Sequence, residues 1–213
     1  MIERSRSDRR AARREQLLDG ALAAVRRRGP GASMNELAAE AGVSKPILYR
    51  HFGDRDGLVV ALGTRFAREL MAELQRALAE PRVDARGTIE ATVEAYVGFV
   101  ERDRAVYRLV VRRAGRDRPG AVDPIGSFQR QVGEAIASVL GPGLERAGAD
   151  AGGAEILSHG IVGLVHAAGD WWLDHPTIPR ELAVSYVTDL LWGGLAGLGL
   201  ASALDDGIPA SLA

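Results

Sequence analysis

"LAAEAGVSKPILYRHF" (residues 37–52) contains two short helical patterns joined at Gly42-Val43. Leu37, Ala38 and Ala41 share one face of the first pattern, and Val43 fills the turn. Leu48 and Phe52, four residues apart, share the inner face of the second. Helix, tight turn, helix is the sequence form of a helix-turn-helix. With Leu48 and Phe52 inward, Pro46, Tyr49 and Arg50 project outward. Pro46 looks misplaced in a helix until Ser44 is taken as the cap. It then falls in the first turn, where a backbone N–H has no intrahelical partner to lose. Its rigid, donor-free apolar surface suits a thymine methyl, and such motifs place the N-terminal residues of the second helix at base edges in the major groove. A hairpin that merely packs, with a solvated polar face, is the competing reading of this local pattern. The basic segment upstream, with Arg9, Arg10, Arg13 and Arg14, favours DNA, because phosphate contacts supply sequence-independent affinity.

Outward from this stretch every segment has helical spacing, and no strand-period alternation appears. Leu17, Leu18, Ala21, Leu22 and Val25 make one stripe of a helix predicted over about 7–28 and stopped by "GPG" at 29–31. Ser33 and Glu36 form a capping box for the helix that follows, and Gly42 suits the left-handed turn at its end. Asp54 caps a long helix running to Glu80, where Pro81 blocks it. Asp84 opens another through about Arg102, and a shorter one spans about 104–113. A loop is expected over 114–123. Asp123-Pro124 starts a helix expected to reach about Leu140, with "GPG" at 141–143 interrupting it. Two final helices are predicted over about 153–174 and 179–202. The fold class is all-α: a helix-turn-helix head over 1–53, its residues 1–7 a flexible arm, and a helical ligand-binding and dimerisation body over 54–213.

Composition narrows the function. With 213 residues, 46% of them hydrophobic, the chain can bury a substantial core. Residues 1–55 carry 12 Arg and Lys against 7 Asp and Glu, whereas the rest carries 15 against 21, so the polyanion-seeking part is the head. Absence of cysteine excludes disulfides, thiol redox chemistry and cysteine-based zinc sites. No signal-peptide pattern opens the sequence, and the longest weakly polar run, 190–204, is short of a membrane span. A cytoplasmic protein with no membrane partner is the expectation. The Gly-x-Ser-x-Gly, Gly-x-Gly-x-x-Gly, P-loop and His-Glu-x-x-His patterns are all missing, which points away from an enzyme.

Over about residues 12–62 the chain, through "LLDGALAAVRRRGPGASMNELAAEAGVSKPILYRHFGDRDGLVVAL", resembles the TetR family of bacterial transcriptional regulators. The later segment "GDWWLDHPTIPRELAVSYVTDLLWGGLAGL" (169–198) resembles C-terminal helices of such regulators less specifically. The resemblance implies a homodimer that places its third helices in the major groove of a double-stranded DNA operator. It also implies a body that binds a small-molecule effector and thereby changes the spacing of the two heads. A repressor is expected; the alternatives are a helical dimer acting through a protein partner without DNA binding, and an enzyme with an unrecognised site. Carried over by motif position, Lys45 and Pro46 read bases, and Asn35 reaches bases or backbone. Tyr49 and His51 touch phosphates, Ser33 and Ser44 offer cap-end N–H and hydroxyl contacts, and Arg55 reaches phosphate. Arg50 is a further DNA-side residue or simply solvated. Ile47 stands where the family often has threonine. Gly57 stands where a helix-favouring acidic residue is usual, which should loosen the start of the fourth helix by roughly 1 kcal/mol.

In the body, Tyr96, Phe99, Tyr107, Phe128, His166 and Trp172 are candidate effector contacts, and each also suits a core position. Leu190, Leu191, Gly193, Gly194, Gly197 and Leu198 are candidate dimer contacts, with Gly193-x-x-x-Gly197 allowing close backbone approach. His159, His166 and Asp170 fall on one stripe, but the seven-residue histidine spacing and the lack of a fourth ligand argue against a metal. No metal and no cofactor are expected.

Overall fold

The computed structural model describes residues 2–114, 123–201 and 204, with backbone alone for 2–6 and 112–114. Among these, nine helices and no strands occur: α1 (Ile2–Arg28), α2 (Met34–Glu40), α3 (Lys45–Phe52), α4 (Arg55–Ala79), α5 (Ala85–Arg102), α6 (Arg104–Ala114), α7 (Pro124–Arg146), α8 (Gly153–Asp174) and α9 (Arg180–Gly197). The chain divides into two compact units, Met1–Arg68 with Asp103–Ile125, and Glu69–Arg102 with Gly126–Ala213. The packing unit that holds residues 1–53 thus extends beyond them. The first part of α4 and all of α6 belong with the helix-turn-helix.

In the first unit, α1 packs on α2 and α6, and α2 on α3. Leu17, Leu18, Ala21 and Val25 of α1 are buried, as are Leu37, Leu48, Leu58, Leu62 and Val106. α1 and α2 approach closely at Gly20, where a Cβ would stand 2.4 Å from the Ala41 Cα. Arg26 of α1 grips Asp103, at the head of α6, through both carboxylate oxygens, with Nε to Oδ1 at 2.7 Å. That pairing is what a buried carboxylate requires. The arm expected over 1–7 is helical from Ile2, because no glycine or proline intervenes before Gly20 to stop α1.

In the second unit, α5 packs on α8 and α9, and α8 on α9. A cluster of Leu140, Leu144, Ala154, Leu195, Leu200 and Leu204 closes one core. This cluster explains why the expected interruption at 141–143 does not occur. Leu140 and Leu144, one turn apart, are both buried on either side of Pro142, so packing carries α7 through the proline to Arg146. α9 ends earlier than expected, at Gly197, where the Gly199 and Leu200 N–H groups bond back to the Ala196 and Leu195 carbonyls. The loop expected over 114–123 falls, at 115–122, outside the described residues. Among the described residues, no helix is long and apolar enough to cross a membrane.

Candidate nucleic-acid interface

The site begins with two caps. At α2, the Glu36 N–H donates to Ser33 Oγ at 3.3 Å and the Ser33 N–H to Glu36 Oε2 at 2.8 Å, the reciprocal box expected from sequence. The Ser33 backbone N–H holds the Glu36 carboxyl below the usual range, helped by the Ser33 hydroxyl and Arg28. At the other end, the Val43 N–H reaches the Ala38 carbonyl and the Gly42 N–H that of Ala39. Gly42 has φ +65°, a backbone state that glycine adopts without a Cβ penalty. The helix-turn-helix bend is thus a hydrogen-bonded helix ending, fixed in angle.

Ser44 caps α3 in extended conformation and its hydroxyl makes no capping bond, while Pro46 occupies the second helical position. Leu48 and Phe52 are buried. Ser44, Lys45, Pro46, Tyr49 and Arg50 are exposed, and Ile47 and His51 are half-buried. The Lys45 ammonium lies 5.6 Å from the Tyr49 ring centroid, so the two form one cation–aromatic pair on the exposed face. Asn35 is exposed in the first turn of α2. Burial pushes His51 below the usual histidine range, and the charges of Arg50, Arg10, Arg13 and Arg14 push it further.

Two residues sit differently from expectation. Arg55 is half-buried and donates to the Ala32 carbonyl at 2.6 Å, so it stitches α4 to the α1–α2 loop. Gly57 does not merely loosen α4: a Cβ there would stand 2.0 Å from the Phe52 carbonyl oxygen. That oxygen also accepts the Asp54 N–H at 3.1 Å across Gly53, whose φ is +80° and ψ −72°. The chain therefore leaves α3 through a three-residue turn so tight that the third residue of α4, Gly57, must lack a Cβ. Asp54 completes the junction by accepting the Gly57 N–H at 2.7 Å. A second feature escaped the motif reading: the Arg14 guanidinium lies 4.9 Å from the Phe52 ring centroid, at the C-terminal end of α3.

In the second unit, the Tyr96 hydroxyl and His166 Nδ1 are 3.1 Å apart. Burial lowers the His166 pKa, opposed by Asp170. An apolar slot, with room for about one water molecule, is lined by Val93, Val97, Val165, Gly169, Trp172 and Val187, among others. Trp172 is the one effector candidate that lines it, its indole N–H already bonded to the Ile178 carbonyl at 3.0 Å. Tyr96 adjoins it, packed on Gly169. Phe99 is buried beneath Arg102, and Phe128 is buried on α7. Tyr107 belongs to the first unit, tilted against Phe66. Of the dimer candidates, Leu190, Gly193, Gly194, Gly197 and Leu198 are exposed, whereas Leu191 faces inward at 7% exposure. Ile156 and Trp171 of α8 and Tyr186 of α9 extend the exposed apolar surface. Among the described residues, no group of three His, Asp or Glu is placed to hold a metal ion.

A capped helix-turn-helix that presents a lysine, a proline and a tyrosine from the start of its second helix defines a DNA-binding head. Residues 17–62 match the family described as bacterial regulatory proteins, tetR family, and residues 73–204 match the tetracyclin repressor-like C-terminal domain. The chain belongs to the TetR family of transcriptional regulators, whose members are generally non-enzymatic DNA-binding proteins and typically dimerise. It is 32% identical to an uncharacterised helix-turn-helix regulator of Mycobacterium tuberculosis H37Rv over 87% of this chain and 78% of that protein. It is 31% identical to the transcriptional activator FasR of Mycolicibacterium smegmatis, over 88% and 85%. A TetR-like regulator from Rhodococcus sp. RHA1 superposes with a TM-score of 0.63 at 28% identity, over 88% of this chain and 97% of that one.

Proposed function

We propose that this regulator is a homodimer that binds a near-palindromic operator and blocks transcription until a small lipophilic effector enters the second unit. The exposed face of α3 carries the DNA reading: Ser44, Lys45, Pro46 and Tyr49 stand in solvent on a helix anchored by Leu48 and Phe52. Lys45, Pro46 and Asn35 act at base edges, while Tyr49 and His51 act at phosphates. The Ser44 hydroxyl, which makes no capping bond, is free to serve a phosphate or a base. Ser33 and Arg55 act indirectly, by fixing α2 and the start of α4. Dimerisation through α8 and α9 is supported by their exposed Ile156, Trp171, Tyr186, Leu190 and Leu198, a surface of the kind that partners cover. The effector reading rests on the apolar slot, which presents hydrocarbon to whatever enters, with the Tyr96–His166 pair nearby as a polar group.

Selection of bound fragments from genomic DNA, followed by binding measurements on the recovered site, tests this function. One site should emerge, with Tyr49→Ala abolishing specific binding. In a reconstituted promoter, occupancy should lower transcription; a rise would make the protein an activator. Recovery of no preferred sequence would refute the operator reading altogether.

A further inference from the structure

Of the 27 arginine and lysine residues in the sequence, 26 are arginine and Lys45 alone is lysine. The difference is chemical. A guanidinium keeps its proton in proteins, whereas an ammonium that yields its proton becomes a nucleophilic amine. Apart from the α-amino group, the chain therefore offers an acyl donor one amine, and no cysteine thiol competes with it. That amine stands at the first residue of α3. Lys45 is exposed, and so are Ser44 and Pro46 on either side of it. Its ammonium lies over the Tyr49 ring, 5.6 Å from the centroid, and among the described residues no carboxylate pairs with it. The excess of positive charge over residues 1–55, 12 Arg and Lys against 7 Asp and Glu, draws small anions toward this part of the molecule.

We propose that Lys45 is an acylation site, through which an acyl phosphate takes the regulator off its operator. The proposal rests on the DNA-binding reading of α3. In the step, Lys45 Nζ attacks as the free amine at the acyl carbon. The N–C bond forms, the C–O bond to phosphate breaks, and the proton lost by nitrogen leaves with the phosphate. The product is a neutral amide. It removes the cation that α3 brings to the base edges, ends the cation–aromatic contact with Tyr49, and adds bulk to the face that enters the groove. DNA on that face covers the amine, so the operator-free protein reacts and the bound protein does not. With every other basic side chain an arginine, the reaction has one target among the side chains and one effect.

The test treats the full-length protein with acetyl phosphate, alone and with the selected operator in excess, and maps the product by peptide mass. Lys45 should be acetylated in the free protein and spared on the operator. Acetylated protein should bind the operator at least about tenfold more weakly, with an unchanged urea midpoint because Lys45 is outside the core. Protein treated on the operator and then released by salt should bind as untreated protein does, and K45R should bind equally before and after treatment. The rate with acetyl phosphate should fall as salt rises, while that with neutral N-acetoxysuccinimide should not. Acetylation confined to the α-amino group would overturn the proposal, as would equal reaction on and off the operator. So would a lowered midpoint, a K45R protein that loses affinity on treatment, or equal salt responses of the two reagents. If the untreated wild type shows no specific binding, the DNA reading fails; specific binding that survives complete acetylation of Lys45 defeats this site alone.

Discussion

At the scale of single residues, Gly57 separates two opposite outcomes. A glycine in the first turn of an exposed helix costs about 1 kcal/mol relative to alanine, so propensity alone makes Gly57→Ala stabilising. The Phe52 carbonyl 2.0 Å from the missing Cβ makes it destabilising, since backbone must shift to admit the methyl. We expect a loss of about 1–3 kcal/mol, read as a lower urea midpoint; a raised midpoint would show that the turn relaxes freely. His51 gives a second outcome. Burial and then Arg50, Arg10, Arg13 and Arg14 hold its pKa below the ordinary value, which favours the neutral ring in the free protein. A phosphate beside it favours the charged form and raises the pKa in the complex. The complex therefore binds more protons than its parts, and affinity should rise as pH falls toward the histidine range. Calorimetry in buffers of different ionisation enthalpy should register proton uptake on operator binding, absent in His51→Gln. Equal uptake by the variant would place the proton elsewhere.

At the scale of elements, caps and breakers wrote most helix boundaries directly. Ser33 with Glu36, Gly42 and Asp54 act through local bonds, and these bonds are visible in the residues themselves. Pro142 was misread because its effect depends on what packs around it. Leu140 and Leu144 hold the last turns of α7 in the core despite a missing N–H. Pro142→Ala should therefore restore a backbone bond and stabilise the protein, by up to about 3 kcal/mol. A lowered melting temperature would mean that the proline shapes the packing instead of resisting it. Arg55 and Gly57 were opaque for the same reason, since each owes its role to a carbonyl on another element. The Lys45, Pro46 and Tyr49 face was legible because burial of Leu48 and Phe52 fixes it by helical geometry alone.

At the scale of the whole molecule, the first unit gathers α6 to the helix-turn-helix through the Arg26–Asp103 bridge, a partition that periodicity could not show. The stripes of α8 and α9 are legible as apolar but not as to direction: Leu191 is buried within its own chain, whereas Trp171 is exposed. If these helices join two copies, Leu190→Glu, at 63% exposure, should yield a folded monomer by light scattering. The monomer should lose operator affinity at least about tenfold, because one half-site replaces two. A dimer with unaltered affinity would move the interface elsewhere. The central claim is that the exposed face of α3 reads a specific operator, and the most direct measurement is the affinity ratio between the genomically selected site and a random duplex, taken for wild type and Tyr49→Ala at one salt concentration. We predict a wild-type ratio of about 10³ or more that collapses in the variant; a wild-type ratio near one, or one that survives the substitution unchanged, would contradict it.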